Sequence, residues 1–171
     1  MFRPSPGCLL LVLLFSSCSR RDADDAPLVQ EEQHPYLPPV LNVADPDAAP
    51  QLLQGWHEVE YGGWRWTEKN FAVLMKVPAQ EQQATLELKF TVPETSIARL
   101  RSITLRARIG PLALRAQTYS QPGSHTYTQP APGAAMKGDT VRIEFQLDKA
   151  LARGEVDSRE LGVVVSSVSL E

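Results

Sequence analysis

Cysteine is almost missing from this 171-residue chain: it has two, Cys8 and Cys18, both within the first eighteen residues. From residue 19 onward no disulfide, cysteine nucleophile or thiolate metal site is possible. Histidine is nearly as scarce, and His34, His57 and His125 include no pair with zinc-ligand spacing. No Gly-x-Ser-x-Gly elbow occurs, so nucleophilic hydrolysis has no support. No apolar run approaches the roughly 20 residues a helix needs to cross a bilayer. Positive charge is not in excess either: 17 Lys and Arg against 20 Asp and Glu leave a net charge of −3, which argues against a nucleic-acid partner.

What is present begins with an export signal. Arg3 stands in a short polar start, residues 8–15 are apolar, and Ser16 and Ser17 are small. Phe15-Ser16-Ser17-Cys18 resembles the lipobox of bacterial lipoproteins, although Phe15 stands where an aliphatic residue is usual. The resemblance implies cleavage before Cys18, lipidation of that cysteine, and a fatty-acyl anchor of the kind that holds a protein stably at a membrane. Ser19 in the following position implies the outer membrane in bacteria that sort by this residue. The alternative is ordinary secretion, with Cys18 a plain thiol. Loss of residues 1–17 removes Arg3 and leaves 16 basic against 20 acidic side chains.

Residues 18–54 read as a lipidated cysteine and a disordered, Pro-rich tether. After Cys18 this stretch has no glycine and no tryptophan, but it has Pro27, Pro35, Pro38, Pro39, Pro46 and Pro50. Prolines at that density remove amide donors and favour an extended spacer. Within it, Leu37, Val40, Leu41 and Val43 are apolar enough to dock along a domain edge, and residues 47–54 can form a helical turn or two.

Beyond Gly55 the apolar period becomes two, the mark of half-buried strands. Ala84, Leu86, Leu88, Phe90 and Val92 alternate with polar residues, as do Ile103, Leu105, Ala107 and Ile109, and then Val141, Ile143, Phe145 and Leu147. Weaker strands are predicted at 56–60, 64–67, 71–77, 112–118, 124–128 and 162–170. The last is apolar on both faces, hence central or bulged. Turn residues punctuate them, including Gly62-Gly63, Gly110-Pro111 and Pro130 to Gly133. The expectation for residues 55–171 is an all-β antiparallel sandwich or jelly roll with almost no helix.

Chemistry is sparse. Glu58 and Glu60 share a strand face about 7 Å apart, a separation inverting glycosidases use, but alternating acids on an exposed strand explain the pair as well. Asp148, Glu155 and Asp157 lack the dense oxygen-ligand spacing of a calcium loop. No metal or cofactor is expected, and the chain is read as a non-enzyme. The aromatic cluster is more informative: Trp56, Trp64 and Trp66 fall within eleven residues, with Tyr61 among them. Exposed flat rings stack on sugar faces, whereas buried ones only fill a core. Trp66 is assigned to the core. Trp56, Tyr61 and Trp64, with Tyr119 and Tyr127, are the candidate ligand-binding rings.

Gly55-Trp56-x-x-x-Glu60, then Trp64-Arg65-Trp66-Thr67, then Asp157-x-Arg159-x-Leu161-Gly162, resemble the carbohydrate-binding-module-like β-sandwiches appended to some bacterial glycosyltransferases. The likeness spans residues 55–171. It implies a glycan-binding-like jelly roll without catalytic residues, with Arg65, Trp66, Asp157 and Arg159 as its structural motif. Arg65 is expected to pair with Asp157 or Glu160, since a buried guanidinium demands a partner. The function expected is that of a non-catalytic cell-envelope lipoprotein that binds a polysaccharide. The alternative is an envelope assembly lipoprotein that binds a protein of a polysaccharide biosynthesis or export system.

Overall fold

The structure, a computed structural model, describes residues 37–79 and 83–171. The expected signal, Cys18 and the first half of the expected tether lie outside the described residues.

Among the described residues ten strands follow one another: β1 (Val40–Asn42), β2 (Leu52–Glu60), β3 (Trp64–Lys76), β4 (Gln83–Val92), β5 (Ile103–Ile109), β6 (Leu112–Ala113), β7 (Gln117–Tyr119), β8 (Gly123–Pro132), β9 (Thr140–Leu147) and β10 (Val164–Leu170). All pairings are antiparallel, and the hydrogen-bonded path runs β6-β5-β9-β3-β10-β4-β8. The strand that folds this sheet into two layers is β3. Thirteen residues reach about 43 Å at 3.3 Å each, more than one layer needs. Its Arg65 and Trp66 pair with β10, while Asn70 to Lys76 pair with β9. A strand that serves both layers makes the corner of a sandwich. The expected strands at 64–67 and 71–77 are therefore one.

The period-two pattern places the core as anticipated. Leu86 and Leu88 from one layer, and Ile103, Leu105, Ile143 and Phe145 from the other, are almost wholly buried in one cluster. Phe71 stacks on Phe145 at 4.9 Å between ring centroids inside it. β10 is both central and bulged: it lies between β4 on one side and β1 and β3 on the other, and its register slips between Val165 and Ser167. β8 continues through Pro130 and Pro132, where a turn was expected. It is the last strand on the path, and an edge tolerates residues without an amide proton.

Two expectations are corrected. Residues 40–54 are not tether. Leu41 and Val43 are buried, because β1 adds to the free side of β10 with Leu41 opposite Val168. A 3-10 helix, Pro46–Gln51, then leads into β2 and buries Ala48 and Gln51. The docking of Leu41 and Val43 and the turn before Gly55 were legible; the strand was not. The second correction is a helix, α1 (Glu94–Leu100), between β4 and β5. Ile97 and Leu100, three apart, pack on the core, and Arg101 closes the helix at φ 68°. Seven residues are too few for a helical period to stand out beside strands.

Candidate functional site

The five candidate rings have different fates. Tyr127 is fully buried and Tyr119 nearly so, and both hydroxyls bond backbone, Tyr127 to the Arg115 carbonyl at 2.7 Å and Tyr119 to the Thr126 carbonyl at 3.5 Å. Burial pushes both phenols up to about 12, with each ring's neighbours adding smaller effects. They are core residues and cannot stack on a ligand, which corrects their assignment. Trp56 is half-buried: its indole N–H donates to the Ala72 carbonyl at 2.9 Å, and its ring meets Phe71 edge-on at 5.2 Å. It closes the β2 margin of the core.

Tyr61 and Trp64 remain available. They flank the turn between β2 and β3, their centroids 5.2 Å apart and their planes tilted by 35°, and Tyr61 is 89% exposed. Trp66 corrects the expectation of a core residue. It shares the outward face with Trp64, while Arg65 and the buried Thr67 take the inward one, and it lies half-buried opposite Val164.

Arg65 does not pair with Asp157 or Glu160. Its Nε donates to the Val43 carbonyl at 2.7 Å and its Nη1 to the His57 carbonyl at 3.0 Å. One guanidinium thus joins the end of β1 to β2 through two backbone carbonyls. Asp157 instead grips Arg159 through two bonds of 3.2 and 2.8 Å, and Arg159 reaches Glu60 at 2.8 Å. Arg159 holds the Asp157 carboxyl well below the usual carboxylate range, and Asp157 and Glu60 hold the guanidinium in its charged form. Glu160 accepts from the Lys69 amide at 2.7 Å and through its carbonyl meets His57 Nε2 at 2.7 Å. The loop before β10 is thus tied to β2 and β3 by Arg159 and Glu160. The order of the motifs foretold that tie, but not its partners.

Glu60, held by Arg159, is not a free base beside Glu58. Asp148 accepts from the Thr104 amide and Glu155 from the Ala152 amide, each at 2.7 Å. Among the described residues no group of acids and histidines is placed to hold a metal, and no helix is long and apolar enough to cross a membrane.

The site that sequence reasoning missed is a groove of about 350 Å³ on the outer face of the layer formed by β3, β9 and β5. Phe71, Ala107 and Phe145 line it although their side chains are buried in the core, so backbone forms its floor. The outward residues come into line by register: Asn70 beside Gln146 beside Arg106, and Ala72 beside Glu144 beside Arg108. Gln54 on β2 bounds one side, and Ala113 and Leu114 the other. The polar groups are fixed in advance. Arg142 donates to Glu144 Oε1 at 2.9 Å and to the side-chain Oε1 of Gln54 at 3.1 Å, and Gln146 Nε2 donates to the side-chain Oδ1 of Asn70 at 3.2 Å. The amide N–H groups of Gln54 and Asn70 and the carbonyl oxygen of Gln146 are left for a ligand. Alternation marks Arg106, Arg108, Glu144 and Gln146 as outward, but Asn70 falls between two predicted strands and Gln54 in the expected tether, and only strand order makes them neighbours.

No family model and no curated protein matches the chain. Among solved structures it is similar to a family GH115 4-O-methyl-α-glucuronidase with specificity for decorated arabinogalactans, at 9% identity and a TM-score of 0.47, over 72% of this chain and 17% of that one. It is also similar to a family 4 carbohydrate-binding module, at 13% identity and a TM-score of 0.34, over 77% of this chain and 85% of the module. The chain spans under a fifth of the glucuronidase's length. The class that the fold defines is an antiparallel β-sandwich of jelly-roll type.

Proposed function

We propose that this chain is a non-catalytic, glycan-binding lipoprotein of the bacterial cell envelope. The observation that carries the reading is the groove over β3, β9 and β5, where amide, guanidinium and carboxylate groups converge on a rigid sheet. Sugars present closely spaced hydroxyls that both donate and accept, and prearranged groups of this kind satisfy them at small entropic cost. The exposed Tyr61 and the half-buried Trp64 add an aromatic platform at the turn. The groove has no nucleophile, and its carboxylate, Glu144, is bonded to Arg142.

The anchor rests on Phe15-Ser16-Ser17-Cys18, and since the Pro39 carbonyl already accepts from the Leu170 amide at 3.1 Å, the spacer of this reading lies before residue 37. Tyr61, exposed at the turn beside the half-buried Trp64, favours a second contact, with a protein of a polysaccharide biosynthesis or export system. Affinity electrophoresis of the purified chain through gels containing neutral and acidic envelope polysaccharides tests the main reading. Retardation that Asn70→Ala with Gln146→Ala abolishes supports it, and free migration through every gel overturns it. Metabolic labelling with a fatty acid tests the anchor, which falls if label enters the Cys18→Ser variant as readily as the native chain.

A further inference from the structure

The charge of the groove is opposite to that of the chain. Net charge is −3 overall, yet the groove's margin holds Arg106, Arg108 and Arg142 against one acid, Glu144. Arg142 is engaged with Glu144 and Gln54. Arg106 and Arg108 are exposed and, among the described residues, have no ion-pair or hydrogen-bond partner for their guanidiniums. Two residues apart on one strand face, they stand about 7 Å from each other and repel. Folding gains nothing from that repulsion, and a strand face toward water has no need of it. Glu144 lies directly across from Arg108 in register, but its Oε1 is turned to Arg142.

We infer that the groove takes an acidic glycan, one whose sugars carry carboxylates, with Arg106 and Arg108 as the carboxylate anchors and Asn70, Gln54 and Gln146 on the hydroxyls. The inference rests on the glycan-binding reading above and narrows its substrate class. A guanidinium fork matches the two oxygens of a carboxylate. Two separated single charges along a chain suit two spaced arginines better than one compact dianion such as phosphate.

Isothermal titration of the purified full chain tests this with uronic-acid oligosaccharides, their uncharged methyl esters, and polyglutamate as a charged chain without sugars. The acids should bind at least tenfold more tightly than the esters. That preference should shrink as salt rises, and Arg106→Gln with Arg108→Gln should remove it, so that acids and esters bind the variant with equal affinity. Both positions are exposed, so an unchanged melting curve should accompany the loss. Equal affinity for acid and ester, unaltered in the variant, overturns the inference and leaves the glycan reading standing. Polyglutamate binding as tight as that of the acids also overturns it, since charge alone would then suffice. Failure of both acids and esters to bind removes the glycan reading and the inference together.

Discussion

Gly55→Ala should be among the most damaging single substitutions in this domain. Gly55 stands in β2 at φ 73°, inside the second of three register shifts between β2 and β3. A methyl group there would fall on the Asn70 carbonyl oxygen and come within 2.8 Å of Phe71 Cα. The left-handed backbone alone costs a residue with a side chain about 1 to 2 kcal/mol. The overlap is with backbone of the strand that joins the layers, so β2 must retreat instead. Retreat breaks the Trp56 bond to Ala72, worth about 1 kcal/mol, and exposes part of an indole whose burial contributes about 2 kcal/mol. The expected loss is about 4 to 5 kcal/mol, much of the 5 to 15 kcal/mol typical of a domain. Gly62→Ala is the control: Gly62 has a similar φ of 67° but no atom within 4 Å of the added methyl, so only the backbone strain should appear. Urea unfolding followed by tryptophan fluorescence measures both. Equal losses in the two variants would refute the argument from close approach.

Three other outcomes follow from particular contacts. Leu41→Ala should cost about 3 kcal/mol in urea unfolding, because Leu41 is buried against β10, whereas a tether residue would cost nothing. Double-mutant cycles should give additive losses for Arg65→Ala with Asp157→Ala, which share no contact, and a coupling of roughly 0.5 to 1 kcal/mol for Glu60→Ala with Arg159→Ala; the reverse pattern would restore the pairing read from the motifs. Stability should fall as pH rises from 10 to 12: Tyr119 and Tyr127 keep their protons to about 12 when folded but lose them near 10 when unfolded, so their contribution is complete below pH 10 and is removed across that window. Tyr127→Phe should flatten the slope, and equal unfolding free energies at pH 9 and 11.5 would contradict the assignment.

Much of the fold was legible because half-buried strands write their burial into the sequence at period two. The runs at 84–92, 103–109 and 141–147 became β4, β5 and β9 with the anticipated residues inward. β1 was obscured because three residues are too few to show a period, and prolines surround them. Tyr119 and Tyr127 were misplaced for a different reason. A tyrosine is as suited to a core that can satisfy its hydroxyl as to a sugar platform, and the deciding partners, the Arg115 and Thr126 carbonyls, belong to neighbouring segments.

By itself the sequence determined the class: a chain without cysteine after residue 18, periodic at two, with turns at short intervals, has little option but antiparallel layers. The expectations of a signal and of a lipobox at Phe15-Ser16-Ser17-Cys18 rest on local patterns of residue type as well, in residues outside those the structure describes. Only the tertiary structure decided that β5 lies beside β9 and β9 beside β3, and with that the groove. Arg106, Gln146 and Asn70 are scattered over 77 residues and converge solely through strand order, which depends on long-range pairing that no local period encodes.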